Sequence, residues 1–284
     1  MMKIRVLPLL VGVAALFAGA AAFADESAAK PAPAEKITMS VKVEPNELRS
    51  YRVTVQMKGR IAEEGSTKLT DVEAVYTMKV QHRYGIRAGQ GDGLLPLEIS
   101  ATEAEATLGD QKLAIPAADF PKLTLLMDRT WKVSSVFGLA GTRYAGQAPG
   151  LNYANLIMLF FVPDMDKPHG VGESWPSKVK LPGVPGECGV TTTLKSVDTK
   201  DGVKTVTIHQ DYVWSRQETQ TDVFANSKAT VDSTFALDTG KLLKSHADCQ
   251  VDHQKPGAAQ QDKAGEQTNT KIDILLEKQT PGNP

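Results

Sequence analysis

The sequence predicts an all-β protein: two related antiparallel β-rich halves, or one large curved sheet, with one short buried helix between them. Three observations predict it. Apolar residues recur at every second position over many short stretches, which turns one set of side chains to a core and the other to water. Turn residues separate these stretches at short intervals, the signature of antiparallel strands. Residues 151–162 break the pattern, being almost wholly apolar without alternation.

The first alternating stretch is Ile37, Met39, Val41 and Val43, with Thr38, Ser40, Lys42 and Glu44 between them, and Pro45-Asn46 signals a turn. Tyr51, Val53, Val55 and Met57 repeat the pattern, as do Val72, Ala74, Tyr76, Met78 and Val80. Leu97, Ile99 and Ala101 follow a glycine-rich turn at 89–93; Leu123, Leu125 and Met127 lead into Asp128, and 132–136 returns. In the second half come Val190, Thr192 and Leu194, then Val206 and Ile208 beyond an Asp201-Gly202 turn. Ala229, Val231, Ser233, Phe235 and Leu237 form another one-sided run, and Ser245, Ala247, Cys249 and Val251 the next. Residues 254–270 are polar and are expected to be mobile, with a last strand at Ile272, Ile274 and Leu276. Residues 126–133 resemble 236–242: each has an apolar strand, an Asp-initiated turn, a Lys and a returning strand. This weak repeat suggests two similar halves, 37–137 and 172–278, followed by a tail at 279–284.

Between the halves, 138–171 combines a glycine-rich loop with the apolar run. Asn152 can cap a helix start and Pro163 forbids continuation, so a helix of two or three turns is expected at 151–162, too short to span a membrane. Its apolar circumference implies burial on most sides. It is read as a plug against the sheet, or as one wall of an apolar ligand site with Tyr153, Leu156, Leu159 and Phe160 as the lining residues.

The chain opens with Lys3 and Arg5, an apolar stretch over 6–22 and the small-x-small sequence Ala22-Phe23-Ala24. This is the layout of a secretory signal peptide over 1–24, followed by a flexible leader over 25–36. An uncleaved anchor is the competing reading, but the cleavage-type sequence stands where the apolar run ends. The mature protein is expected in the periplasm or secreted. In an oxidising compartment the only two cysteines, Cys188 and Cys249, are expected to form a disulfide. With 32 basic and 33 acidic residues and a net charge of −1, the chain has no electrostatic footprint for nucleic acid.

Candidate chemistry is sparse. Asp238-Thr239-Gly240 after Phe235-Ala236-Leu237 has the form of an aspartic-protease signature. Such enzymes need two carboxylates sharing a proton, and Asp128, the available partner, is followed by Arg129-Thr130. Asp-x-Gly between alternating strands is a hairpin signal and is read as one. Gly172-Glu173-Ser174-Trp175-Pro176 misses the nucleophile elbow by its last residue, since proline crowds the sharp turn; Trp175 is expected to pack over a sheet edge. His246, Asp248 and Asp252 share a strand face by parity but span too far for one metal shell without a bend. No catalytic residue, cofactor or metal is therefore assigned.

The signal peptide, the twin β-rich halves and the element Val171-Gly172-Glu173-Ser174-Trp175 together resemble a family of uncharacterised exported bacterial β-rich proteins, many of them lipoproteins. A late hairpin carrying Phe235, Asp238, Gly240 and Leu242 matches the same family. The resemblance implies an exported all-β protein, and the family brings no catalytic residues with it. The chain departs from the lipoprotein members in having no cysteine near the cleavage sequence. At fold level it is also similar to the half-barrels of periplasmic lipoprotein carriers. The function expected is non-enzymatic binding or carriage of an apolar small molecule in the cell envelope. Two alternatives stand beside it: an interaction protein presenting sheet edges and loops to an envelope partner, and a hydrolase using Asp238.

Overall fold

In a computed structural model of the chain, the described residues are 36–44, 46–62, 69–85, 93–116, 120, 122–138, 159, 162–179, 187–214, 217–218, 223–254 and 266–277. Among them there is no helix. The strands are β1 (Lys36–Ile37), β2 (Leu48–Ala62), β3 (Leu69–Tyr84), β4 (Leu95–Leu108), β5 (Gln111–Ala114), β6 (Leu123–Met127) and β7 (Val133–Phe137) in the first half. The second half supplies β8 (His169–Gly170), β9 (Ser174–Val179), β10 (Cys188–Lys200), β11 (Val203–Val213), β12 (Gln217–Glu218), β13 (Val223–Ala236), β14 (Lys241–Gln254) and β15 (Glu266–Leu276).

Thirteen strands form one antiparallel sheet in the order β7-β6-β4-β3-β2-β15-β14-β13-β11-β10-β9, with β5 beside β4 and β12 beside β13. Each half is a meander. The two are sewn together where β2 pairs with β15, from Arg60↔Gln267 to Tyr51↔Leu276. The sheet does not close, because β7 and β9 remain its two edges.

The alternation in the sequence maps onto one buried face. Tyr51, Val53, Val55 and Met57 on β2 are buried, as are Ala74 to Tyr84 at every second position on β3. Ala229, Val231, Ser233 and Phe235 on β13 continue it. That face is the inside of a roll. Along a flat sheet β6 and β13 would lie six strand spacings apart, roughly 29 Å at ~4.8 Å each. Yet Trp131, in the turn after β6, meets the Phe235 ring of β13 edge-on at 5.7 Å between centroids.

Residues 36–44 differ from the expected strand. Their alternation is real, with Ile37, Met39 and Val41 buried, but only β1 joins a ladder, pairing with β8 outside the large sheet. The rest is an extended strap inside one end of the roll. Its backbone bonds go to loops: Met39 N–H to Met165 O, Val41 N–H to Arg129 O and Lys42 N–H to Thr239 O. The two Asp-initiated turns that resemble each other in sequence thus grip adjacent residues of one strap. Gly240 permits this approach: its φ is +61°, and a Cβ there would lie 2.7 Å from the Ser40 carbonyl oxygen. A second correction concerns 266–270, expected to be mobile, which form the start of β15 against β2. Polar Thr268 and Thr270 at the inward positions hide the strand period there.

The halves share a structural repeat that their sequences barely show. Before β2, Glu47 donates its N–H to Glu44 O, its carboxylate accepts from Glu44 N–H, and its carbonyl accepts from Tyr84 on β3. Before β9, Glu173 does the same with Gly170 and with Leu194 on β10. Asn46 and Gly172, each one residue before the glutamate, both have positive φ, +60° and +84°.

Candidate functional site

The inner face of the roll is where chemistry-bearing side chains converge. At the end closed by the strap it is large and aromatic. Arg49 is almost fully buried there, its guanidinium bonded to both Glu47 oxygens at 2.8 and 3.3 Å and to the Lys42 carbonyl at 3.1 Å, and lying 4.5 Å over the Tyr84 ring. Burial pushes the Glu47 carboxyl up, but the Arg49 hydrogen bond and charge outweigh it and leave it below the usual range. Burial, with the Arg49 charge, drives His82 down to about 3, so its imidazole is neutral. This polar cluster ties strap, β2 and β3 together and is a structural element.

Across the roll, Trp175 on the edge strand β9 stacks on His169 at 3.6 Å and donates to Pro163 O at 3.0 Å. The expected packing of Trp175 at a sheet edge is thus observed. Leu159, Val162 and Met165 are buried in the same core. Of the four residues expected to line an apolar site, Leu159 is described: it is buried and lies in a turn, not in a helix. Tyr153, Leu156 and Phe160, with most of the expected helix 151–162, lie outside the described residues.

Further along the inner face small and polar side chains stand among large ones, since Met57, Tyr76, Met78, Tyr212 and Trp214 are buried there too. Ala101, Ala104 and Ala106 on β4 are buried, as are Ala229 on β13 and, on the neighbouring β14, Ala247 and Cys249. Ser233 and Ser245 share a hydrogen bond of 2.8 Å. Thr192, Gln210, Ser227 and Thr270 are buried on the same half. The expected disulfide is not formed: Cys188 on β10 and Cys249 on β14 are both free, with β11 and β13 between them. That is about 14 Å along the sheet, against the ~7 Å limit between Cα atoms of a bridged pair. Burial pushes both thiols up to about 12.

The tempting motifs resolve into turns. Asp238 is exposed at the β13–β14 turn, where Gly240 N–H donates to Ala236 O at 2.8 Å. Asp128 spends one oxygen on its own turn, accepting from Thr130 N–H at 2.8 Å, Thr130 Oγ1 at 2.7 Å and Lys132 N–H at 3.0 Å. Burial raises that carboxyl, but these bonds prevail and hold it below its ordinary value. No contact joins the two aspartates among the described residues. Ser174 Oγ is exposed and bonds Thr193 Oγ1 at 2.8 Å.

On the outer face, His246 Nδ1 meets Asp273 at 2.7 Å and His246 Nε2 meets Asp248 at 3.3 Å. The hydrogen bond to Asp273 leads the causes that raise His246. Among the described residues no group of histidine, cysteine or carboxylate side chains has a metal-holding geometry. The side chain of Asp252 lies outside them.

The polar inward residues on β10 and β11 are those the sequence reading did not single out as a site. The parity of Val190, Thr192 and Leu194 already contained the signal, since a threonine stands at a core position.

No family model and no curated protein matches the chain. Among solved structures it is similar to that titled "Lipid-protein interactions in lipovitellin", at 9% identity and a TM-score of 0.49, over 86% of this chain. The chain spans about a quarter of that protein, 26% of its length. It is also similar to DynF of the dynemicin biosynthesis pathway of Micromonospora chersina, at 6% identity, 88% of each chain and a TM-score of 0.24. The ywiB protein of Bacillus subtilis matches at 10% identity over 81% of this chain and 94% of that one, with a TM-score of 0.13. None of these likenesses assigns a ligand or an activity to the chain.

Proposed function

We propose that this is a non-enzymatic, exported cell-envelope protein that carries an apolar small molecule against the inner face of its rolled sheet. One observation carries the reading: eleven strands follow one path with a single continuous buried face. At ~4.8 Å spacing and the usual strand tilt, such a roll wraps a space roughly 20 Å across. Two facing layers of side chains fill only ~10 Å. The strap, Leu159, Val162 and Met165 fill the end near Trp131 and Phe235, where the side chains are large. Toward the other end the inward residues of β4, β13 and β14 include Ala101, Ala104, Ala106, Ala229 and Ala247, which take less of that space than the Met57, Tyr76 and Tyr212 side chains on β2, β3 and β11.

Export is supported by the signal-peptide layout of 1–24. The non-enzymatic reading is supported by where the acids and hydroxyls go: Asp128, Glu173 and Ser174 each serve a local turn or strand contact. Native mass spectrometry of the full-length protein, isolated from its own envelope without detergent exchange, tests the proposal. A co-purifying apolar species of reproducible mass is expected. Ligand-free protein in every preparation, together with no uptake of an alkylpyrene probe, would overturn it.

A further inference from the structure

Resting on that reading, we infer that the molecule carried is an uncharged amphiphile with ester- or amide-type oxygens at two points, one held by Thr192 on the inner face of β10 and another by Trp214 just beyond β11. The two halves of the roll differ in chemistry on that face. In the first half the described buried polar residues are Arg49 and His82, both within the cluster at the strap end. In the second half polar side chains run along the wall: Thr192, Gln210, Ser227, Ser233, Ser245 and Thr270.

The repeat makes the difference specific. Glu47 accepts from Tyr84, which faces Leu97, and Glu173 accepts from Leu194, which faces Ile208. The next inward pairs are therefore equivalent: His82↔Ile99 in one half, Thr192↔Gln210 in the other. One pair further, Val80↔Ala101 matches Val190↔Tyr212. Ile99 and Ala101 of one half are thus replaced by Gln210 and Tyr212 in the other.

Three of these groups have side-chain partners on the wall. Ser233 bonds Ser245, and Gln210 bonds the Tyr212 hydroxyl. Two donors do not: the Thr192 hydroxyl, at 0% exposure, and the Trp214 indole N–H, at 7%, have no hydrogen-bond partner among the described residues. Buried polar groups left unpaired are rare because they are costly. The two mark the ends of a track about 13 Å long, four residues of β10 at ~3.3 Å each. Between them lie Val190 and Tyr212, the latter stacked on Trp214 at 5.9 Å, and Cys188 is level with Trp214.

The donor chemistry selects the ligand. An indole N–H donates only, and a hydroxyl can donate, so both fit an acceptor oxygen. The buried polar side chains of this wall are all neutral, and no lysine or arginine is among them. A carboxylate or phosphate there would be a buried charge without a counter-ion, which is strongly disfavoured. An ester, amide or ether oxygen meets no such penalty, and its hydrocarbon tail would lie over the apolar strands β2 to β6.

Three pyrene probes of one chain length test this on the full-length protein: an alkylpyrene, a pyrene-labelled diester whose two ester groups can stand about 13 Å apart, and the free acid. The diester is expected to bind about tenfold more tightly than the alkylpyrene, and the free acid at alkaline pH more weakly than either. Trp214→Phe and Thr192→Val should each weaken diester binding by about fivefold and leave the alkylpyrene unchanged. Because Thr192→Val removes an unpaired buried donor at nearly constant volume, its urea midpoint should equal or exceed that of the parent, whereas a purely structural role for the hydroxyl lowers it. Equal losses for diester and alkylpyrene, or no loss for either, would overturn the inference. Failure of the unaltered protein to bind any of the three would instead overturn the proposed function.

Discussion

Replacing Gly240 by alanine tests whether the strap is gripped by the β13–β14 turn. Two effects add. An L-residue at φ +61° is strained by about 1–2 kcal/mol. The new methyl would also stand 2.7 Å from Ser40 O and 3.3 Å from Val41 Cα, both backbone atoms that side-chain rotation cannot clear. Relieving it moves the strap and stretches Lys42 N–H to Thr239 O and Val41 N–H to Arg129 O, at 3.0 and 2.8 Å. Each of those bonds is worth about 1 kcal/mol. Gly240→Ala should therefore destabilise by about 3–4 kcal/mol. Gly202, at the β10–β11 turn, is the control: its φ is +77°, and nothing lies within 4 Å of a Cβ built there. Gly202→Ala should show the conformational part alone, about 1–2 kcal/mol. Equilibrium urea unfolding of both variants measures the difference, which should be about 2 kcal/mol, or roughly 4–8 °C in melting temperature for a chain of this size. Equal losses in the two variants would refute the grip.

Three further outcomes are expected. His82 titrates at about 3 when folded and near 6.5 when unfolded; the unfolded chain then binds the extra proton, and stability falls as pH drops between those values, by up to about 1.4 kcal/mol per unit. His82→Gln should flatten that fall between about pH 7 and about pH 5, as read from urea midpoints, while the carboxyls of Asp128 and Glu173, also held low, lose their contribution only at more acid pH. Phe235→Ala removes the ring on which Trp131 rests and should destabilise by about 3–5 kcal/mol in the same assay. Cys188 and Cys249 should resist a thiol reagent in the folded protein at mildly alkaline pH and react fully in urea, since burial holds both near 12; rapid labelling of the folded protein would contradict their placement.

The sheet was legible wherever one face is apolar. Tyr51 to Met57 and Ala229 to Phe235 alternate in sequence and in burial alike. The strap shows why alternation is insufficient: residues 37–43 carry the same pattern because they too bury every second side chain. Their hydrogen bonds, which no periodicity encodes, go to loops. The repeated turn was illegible for another reason. Its conserved geometry needs only a glutamate and a residue tolerant of positive φ, so Asn46-Glu47 and Gly172-Glu173 build it from unlike surroundings. The disulfide expectation failed because a cysteine count carries no information about strand order. The buried polar track was half legible, since threonine at a core parity looks like an interruption until its neighbours across the sheet are known.

The pairing of Tyr51 with Leu276 has a consequence for how the molecule comes into being. A polypeptide emerging amino-end first presents the Leu48–Ala62 strand long before its partner on that side exists. Until the final segment arrives, that flank is an open row of amides and carbonyls able to recruit strangers. Zipping these two strands together is then the slow, late event of maturation, because no other neighbouring strands of the large sheet lie so far apart in sequence.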